Sequence, residues 1–186
     1  NGCSGITEIT LPNQLKTMYD RVFLGTGITE IIIPKTVTTM SSTDYYQDRR
    51  VSSLCGAEKL KKVVFEDGMQ TIPNSALRGC NQITEVVIPE TVTIIDNRAF
   101  ENCTNLKSVE LPSNLTTICE VAFGYCSSLT YIKLPNGITS LGAWAFSGCT
   151  GLTGIELPNS ITTIGAYAFN GCSGITEITL PNQLKT

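Results

Sequence analysis

The chain has no histidine, 16% charged residues and 7% aromatic residues in 186. Each shortage removes a class of function. Without His, neither a Ser-His-Asp triad nor a Cys-His dyad can be assembled, and most zinc hydrolysis loses its usual ligands. With 13 basic against 16 acidic residues, the net charge is −3. That balance leaves no basic footprint for a nucleic acid, which needs clustered Lys and Arg. No apolar run approaches the length of a bilayer span, so direct membrane insertion of this segment is not expected. Nor is a secretory leader visible, but the chain begins inside a repeat, and that absence carries no information.

What the chain has in abundance is itself. Residues 1–17 and 170–186 both read NGCSGITEITLPNQLKT. Prolines stand at 89, 112, 135, 158 and 181, each 23 residues after the last. A fixed period of this length is the mark of a solenoid. The unit is clearest in residues 151–173, GLTGIELPNSITTIGAYAFNGCS. Copies starting at Ile83, Leu106, Leu129, Leu152 and Ile175 keep its spacing without gaps. The copies at Ile28 and Leu60 are degraded, the latter with Glu66 where Pro would stand. Pro12 to Pro34 spans 22 residues and Pro34 to Glu66 spans 32, so one deletion and one insertion leave the phase intact.

Leu-x-x-Ile-x-Leu-Pro alternates apolar and polar residues toward its end, as in Val109, Glu110 and Leu111, which is the pattern of a half-buried strand. Pro closes it because Pro cannot donate to a ladder. Stacked copies predict a parallel sheet of eight strands, roughly 35 Å long at ~4.8 Å per strand. Ile-Thr-Thr-Ile predicts a short second strand, with Ile161 and Ile164 inward. Ala-Phe-x-x-Cys predicts one turn of helix or 3₁₀, with Phe100, Phe123, Phe146 and Phe169 piled one per coil. Gly142 and Gly165, at the corner before it, offer a place for positive φ.

The motif pair Leu-x-x-Ile-x-Leu-Pro and Ile-Gly-x-x-Ala-Phe-x-x-Cys, repeated over nearly the whole chain, resembles the BspA-like (Treponema-type) leucine-rich repeats. The resemblance implies an α/β repeat solenoid: a curved, right-handed coil with a parallel sheet on its concave side. It also implies a cell-surface or secreted protein, in several members an adhesin for host matrix, plasma or microbial surface proteins. Polarity carried by Thr, Asn and Ser rather than Lys and Glu agrees with an extracellular setting. Residues 1–186 are expected to form one such domain, a window on a longer array, since no polar cap is visible at either end. The stretch 41–57 departs from the pattern, and no family property carries onto it.

Cys3, Cys80, Cys103, Cys126, Cys149 and Cys172 share one column, three residues after the Phe position. A core-facing column favours a ladder of buried thiols over disulfides, because free Cys packs as a small hydrophobe. Disulfides remain open on Cα distance alone. Cys55 and Cys119 lie off the column. No catalytic, cofactor or metal site is expected.

Candidate contact residues fall in three groups. The insertion 41–57 holds Tyr45, Tyr46, Arg49 and Arg50, the residue types enriched at interface hot spots; its alternative is a loop that patches a degraded repeat. The outward sheet position runs Ile32, Val64, Val87, Glu110, Lys133, Glu156. Its first three members make an apolar stripe, either a contact patch or a surface covered by the insertion. Tyr131 and Lys133 continue that face, and opposite charges at 110, 133 and 156 suggest an ion-pair ladder. Trp144 and Tyr167 occupy equivalent positions on adjacent coils and invite stacking, or contact with a carbohydrate. The whole suggests a non-enzymatic protein-binding and adhesion module. A structural stalk or a carbohydrate-binding accessory module is the alternative.

Overall fold

The computed structural model describes residues 3–19, 21–40 and 52–181. The described coils form a parallel β-solenoid. One face carries β1 (Glu30–Ile33), β2 (Lys62–Phe65), β4 (Glu85–Val87), β7 (Tyr131–Lys133) and β9 (Gly154–Glu156). A second face carries β3 (Thr71–Ile72), β5 (Ile94–Ile95), β6 (Thr117–Ile118), β8 (Ser140–Leu141) and β10 (Thr163–Ile164). The second face is a continuous sheet in the order β10-β8-β6-β5-β3. The first is broken into β1-β2-β4 and β7-β9, with Ser108 bridging to Tyr131 where a strand would complete the row. The eight regular strands expected from the repeat are therefore fewer and interrupted among the described residues.

Threonine explains much of the second face. Thr116, Thr139 and Thr162 each send both the backbone N–H and the side-chain hydroxyl to one carbonyl of the preceding coil. The polar Ile-Thr-Thr-Ile centre is thus a doubled inter-coil bond at every level, on a β-branched residue suited to the pleat. Each second strand follows a turn closed on the carbonyl at the proline position, as Ile138 N–H to Pro135 O at 3.1 Å, and before β3 Met69 N–H to Glu66 O, where Glu replaces the proline.

The Ala-Phe-x-x-Cys segment is not helical; it is a chain of turns. Two residues per coil adopt left-handed backbone geometry: Arg98 and Asn102, Val121 and Tyr125, Trp144 and Gly148, Tyr167 and Gly171. A right-handed helical turn cannot contain such residues. Amide donors alternate instead. Phe100, Asn102 and Phe123 donate to carbonyls of the following coil, while Glu101 and Cys103 close turns three residues back. On the strand faces the donors run both ways, as parallel pairing requires: Thr84 donates back to Lys61 and Cys119 back to Ile95, while Met18 donates forward to Thr39. Every regular coil junction is therefore bonded in both directions.

The corner glycines act differently from expectation. Positive φ falls at Trp144 and Tyr167, two residues later, and not at Gly142 or Gly165. A Cβ on Gly142 would lie 2.5 Å from the Cys119 carbonyl carbon and the Glu120 nitrogen. These glycines permit close backbone approach between coils.

The core is a column of repeated side chains. Phe100, Phe123, Phe146 and Phe169 stack with centroids 4.9, 5.4 and 5.8 Å apart and planes within 11°. Cys80, Cys103, Cys126, Cys149 and Cys172 are buried beside them. Cys103, Cys126, Cys149 and Cys172 donate their S–H, at 3.0–3.2 Å, to the Leu77, Phe100, Phe123 and Phe146 carbonyls of the preceding coil. The thiol ladder holds, with one correction. Cys3 is exposed, because it stands on the first described coil with a neighbour on one side. Burial pushes the interior thiols up, Cys149 to about 12.

A second correction concerns the insertion. Leu54 and Ala57 fill the Phe and Cys places of their coil and are fully buried, so residues 52–57 are part of the repeating turn face and supply two side chains to the core. The turn bonds Cys55 N–H to Ser52 O and Ala57 N–H to Leu54 O match those of the regular coils.

Candidate interaction surface

Strand alternation puts two residues of each first-face strand outward, giving two parallel columns. In one, β1, β2 and β4 align Ile32, Val64 and Val87 in register. Ile32 is 56% and Val87 40% exposed, with Val64 half-buried between them. In the other, two residues earlier, Lys62 sits between Glu30 at 3.4 Å and Glu85 at 3.5 Å. Both glutamates raise the Lys62 pKa, first through the hydrogen bond to Glu30. The result is an apolar stripe flanked by an ion-pair ladder, all on three adjacent strands. Sequence reasoning missed this ladder, although Glu30, Lys62 and Glu85 are spaced like Ile32, Val64 and Val87. The signal that finds it is the alternation of sign along the second outward column.

Further along the face, Tyr131 and Lys133 both project from β7. Tyr131 is 51% exposed. Lys133 stands opposite Glu156 in register, yet the ion pairs of this face among the described residues are those of Lys62. Tyr131 and Lys133 border a depression of about 680 Å³ whose other walls include Val109, Glu110 and Pro135. At its rim Glu90 accepts both the N–H and the hydroxyl of Ser113, which hold its carboxyl below the usual range.

Trp144 and Tyr167 stack with centroids 4.4 Å apart and a 25° interplanar angle. They lie on the turn face, away from the sheet, at the left-handed position of their coils. Tyr167 is 62% exposed. The candidate residues thus divide between two faces and do not form one site. Tyr45, Tyr46, Arg49 and Arg50 lie outside the described residues.

Stacked coils with two parallel-stranded faces, a turn face and a Phe/Cys core define a leucine-rich-repeat β-solenoid. The chain belongs to the BspA type leucine rich repeat family, whose model matches residues 1–52, 48–150 and 95–186 in six copies. Among solved structures, a leucine rich cell surface protein from Faecalibacterium prausnitzii A2-165 is 31% identical, with a TM-score of 0.67 over 89% of this chain and 42% of its own. The T. pallidum leucine rich repeat protein shares the fold at 24% identity and a TM-score of 0.67, over 83% of this chain and 64% of its own. The chain thus spans less than half of the first and under two thirds of the second. No curated protein matches the chain significantly.

Proposed function

We propose that this chain is a non-enzymatic protein-binding module of a cell-surface or secreted protein, serving adhesion to host matrix, plasma or microbial surface proteins. The carrying observation is the three-strand patch of Ile32, Val64 and Val87 beside the Glu30–Lys62–Glu85 ladder. Contiguous exposed apolar area of this kind marks contact surfaces. A polar, charge-paired border is what interface rims provide. Similarity to a cell-surface protein supports the location. Solenoid faces offer extended area, and repetition adds avidity where several coils engage one partner.

The test uses the full chain immobilised against serum and extracellular-matrix fractions, followed by titration of any captured protein. The double variant Ile32→Asp, Val87→Asp should weaken binding at least about 10-fold, since losing a buried apolar contact costs roughly 1.5–3 kcal/mol per side chain. Unchanged affinity with intact circular dichroism would remove the stripe from the function. A second reading rests on the Trp144–Tyr167 stack, whose exposed Tyr167 face could seat a sugar ring. A glycan array bound by the parent chain but not by Trp144→Ala would favour it.

A further inference from the structure

Cys103, Cys126, Cys149 and Cys172 each give their S–H to a carbonyl 26 residues earlier. Cys80 does not follow them. The equivalent acceptor is the Leu54 carbonyl, which already accepts the side-chain amide of Gln82 at 3.1 Å. The Cys80 thiol instead meets the Cys55 thiol, Sγ to Sγ at 3.0 Å. That is closer than two sulfurs pack without a bond between them or a shared proton. The local cause is the coil that carries the insertion. Its turn bonds are regular, but its links to the next coil are shifted: Ser52 N–H donates to Arg78 O, and the Ser52 hydroxyl to Ala76 O. The shift places Cys55, off the thiol column by sequence, against it in space.

We propose that Cys55 and Cys80 are a disulfide-forming pair, a covalent staple between the coil that carries the insertion and the coil that follows it. The two thiols are unequal in the way a staged exchange requires. Cys55 is half-buried, while Cys80 is fully buried. The Cys80 hydrogen bond lowers the Cys55 thiol against the opposing effect of its partial burial, with smaller help from the Ser52 backbone and the Arg21 charge; fuller burial raises Cys80. Thiolate character and access favour attack by Cys55.

The oxidant is a small-molecule disulfide. The Cys55 thiolate attacks one of its sulfurs, forming a mixed disulfide and releasing one thiolate, which takes up the proton Cys55 gave to solvent. The Cys80 sulfur then attacks Cys55, breaks the mixed bond and releases the second small thiol with the Cys80 proton. Two protein thiols become one disulfide, and one small disulfide becomes two thiols. Cys55 also gives its S–H to a carbonyl, Arg78 O at 3.2 Å, but from a half-buried site beside a second thiol; the column thiols from Cys103 onward have no such sulfur neighbour, and Cys103, Cys126 and Cys149 are sealed from solvent.

The experiment incubates the native full chain with oxidised glutathione. Accessible thiols are then alkylated under native conditions, and the unreduced digest is analysed by mass spectrometry. A Cys55–Cys80 cross-linked peptide, two hydrogens lighter than the separate peptides and split by dithiothreitol, is expected in most molecules. The Cys119→Ser variant should form it to the same extent, and Cys55→Ser should form none while leaving Cys80 reduced. Stable glutathione on Cys55 with Cys80 still a thiol would overturn the proposal, as would recovery of both thiols free in a chain whose circular dichroism is native.

Discussion

Truncating Phe123 to alanine probes the core column at its middle. The ring is fully buried and lies between Phe100 at 4.9 Å and Phe146 at 5.4 Å, nearly parallel to both. Phe→Ala in a core costs about 3–5 kcal/mol. Two stacked partners, each worth about 0.5–1.5 kcal/mol beyond burial, place this site toward the upper end. Leucine should be milder, because Leu54 and Leu77 occupy the same place in two other coils and are fully buried there. We expect about 1–2 kcal/mol for Phe123→Leu. In a domain of this size Phe123→Ala would lower Tm by roughly 6–20 °C. Urea unfolding followed by far-UV circular dichroism gives the energies. Hydrogen exchange should show loss of protection concentrated in the coils around residues 100–146, since solenoid coils feel their neighbours first. An alanine cost below about 1 kcal/mol, or equal costs for Ala and Leu, would refute the stacked column as a source of stability.

Other expectations follow the same geometry. Gly148→Ala should cost about 1–2 kcal/mol and Gly171→Ala about 1; both have positive φ, +72° and +73°, but the Gly148 Cβ would lie 2.6 Å from the Tyr125 ring while Gly171 has its nearest atom at 3.7 Å. Thermal melts of the pair decide it. Stability should fall above pH 9: unfolded thiols release protons there, whereas Cys149 holds its proton up to about 12. The folded pKa is raised, so the contribution is complete below pH 9 and declines by about 1.4 kcal/mol per pH unit per thiol until the folded group ionises. Urea midpoints at pH 8 and 10.5 should differ less in Cys149→Ala than in the parent, as that variant lacks one such thiol. Lys62→Ala should leave the urea midpoint essentially unchanged at physiological salt, since the ladder is exposed and screened; urea unfolding of the variant checks it.

The columns of the core were legible because each is one residue type at one spacing. Phe100, Phe123 and Phe146 could be placed from periodicity alone, and the thiols with them. The turn face was not. Ala-Phe-x-x-Cys looks helical because Ala and Phe tolerate a helix, and nothing in Arg98, Val121 or Trp144 announces left-handed backbone; inter-coil carbonyls impose it. The same tertiary demand decides Gly142, whose role depends on Cys119 in the neighbouring coil. Leu54 and Ala57 are hard to see because they replace the signature Phe and Cys. On the surface, the apolar stripe followed from the repeat register, while Glu30, Lys62 and Glu85 needed the second outward column. Cys55 reaches Cys80 through a local shift of bonds that no spacing encodes.

Adjacent coils are bonded on both strand faces and on the turn face, which has a mechanical consequence. Tension along the long axis cannot pull them apart by loosening one row of bonds; it loads rows on different sides of the same shaft together. Rupture should begin at a terminal coil, held from one side, and travel inward in 23-residue steps. An array of such coils pulled from its ends would then yield in a sawtooth of similar increments, each returning slack without releasing its load.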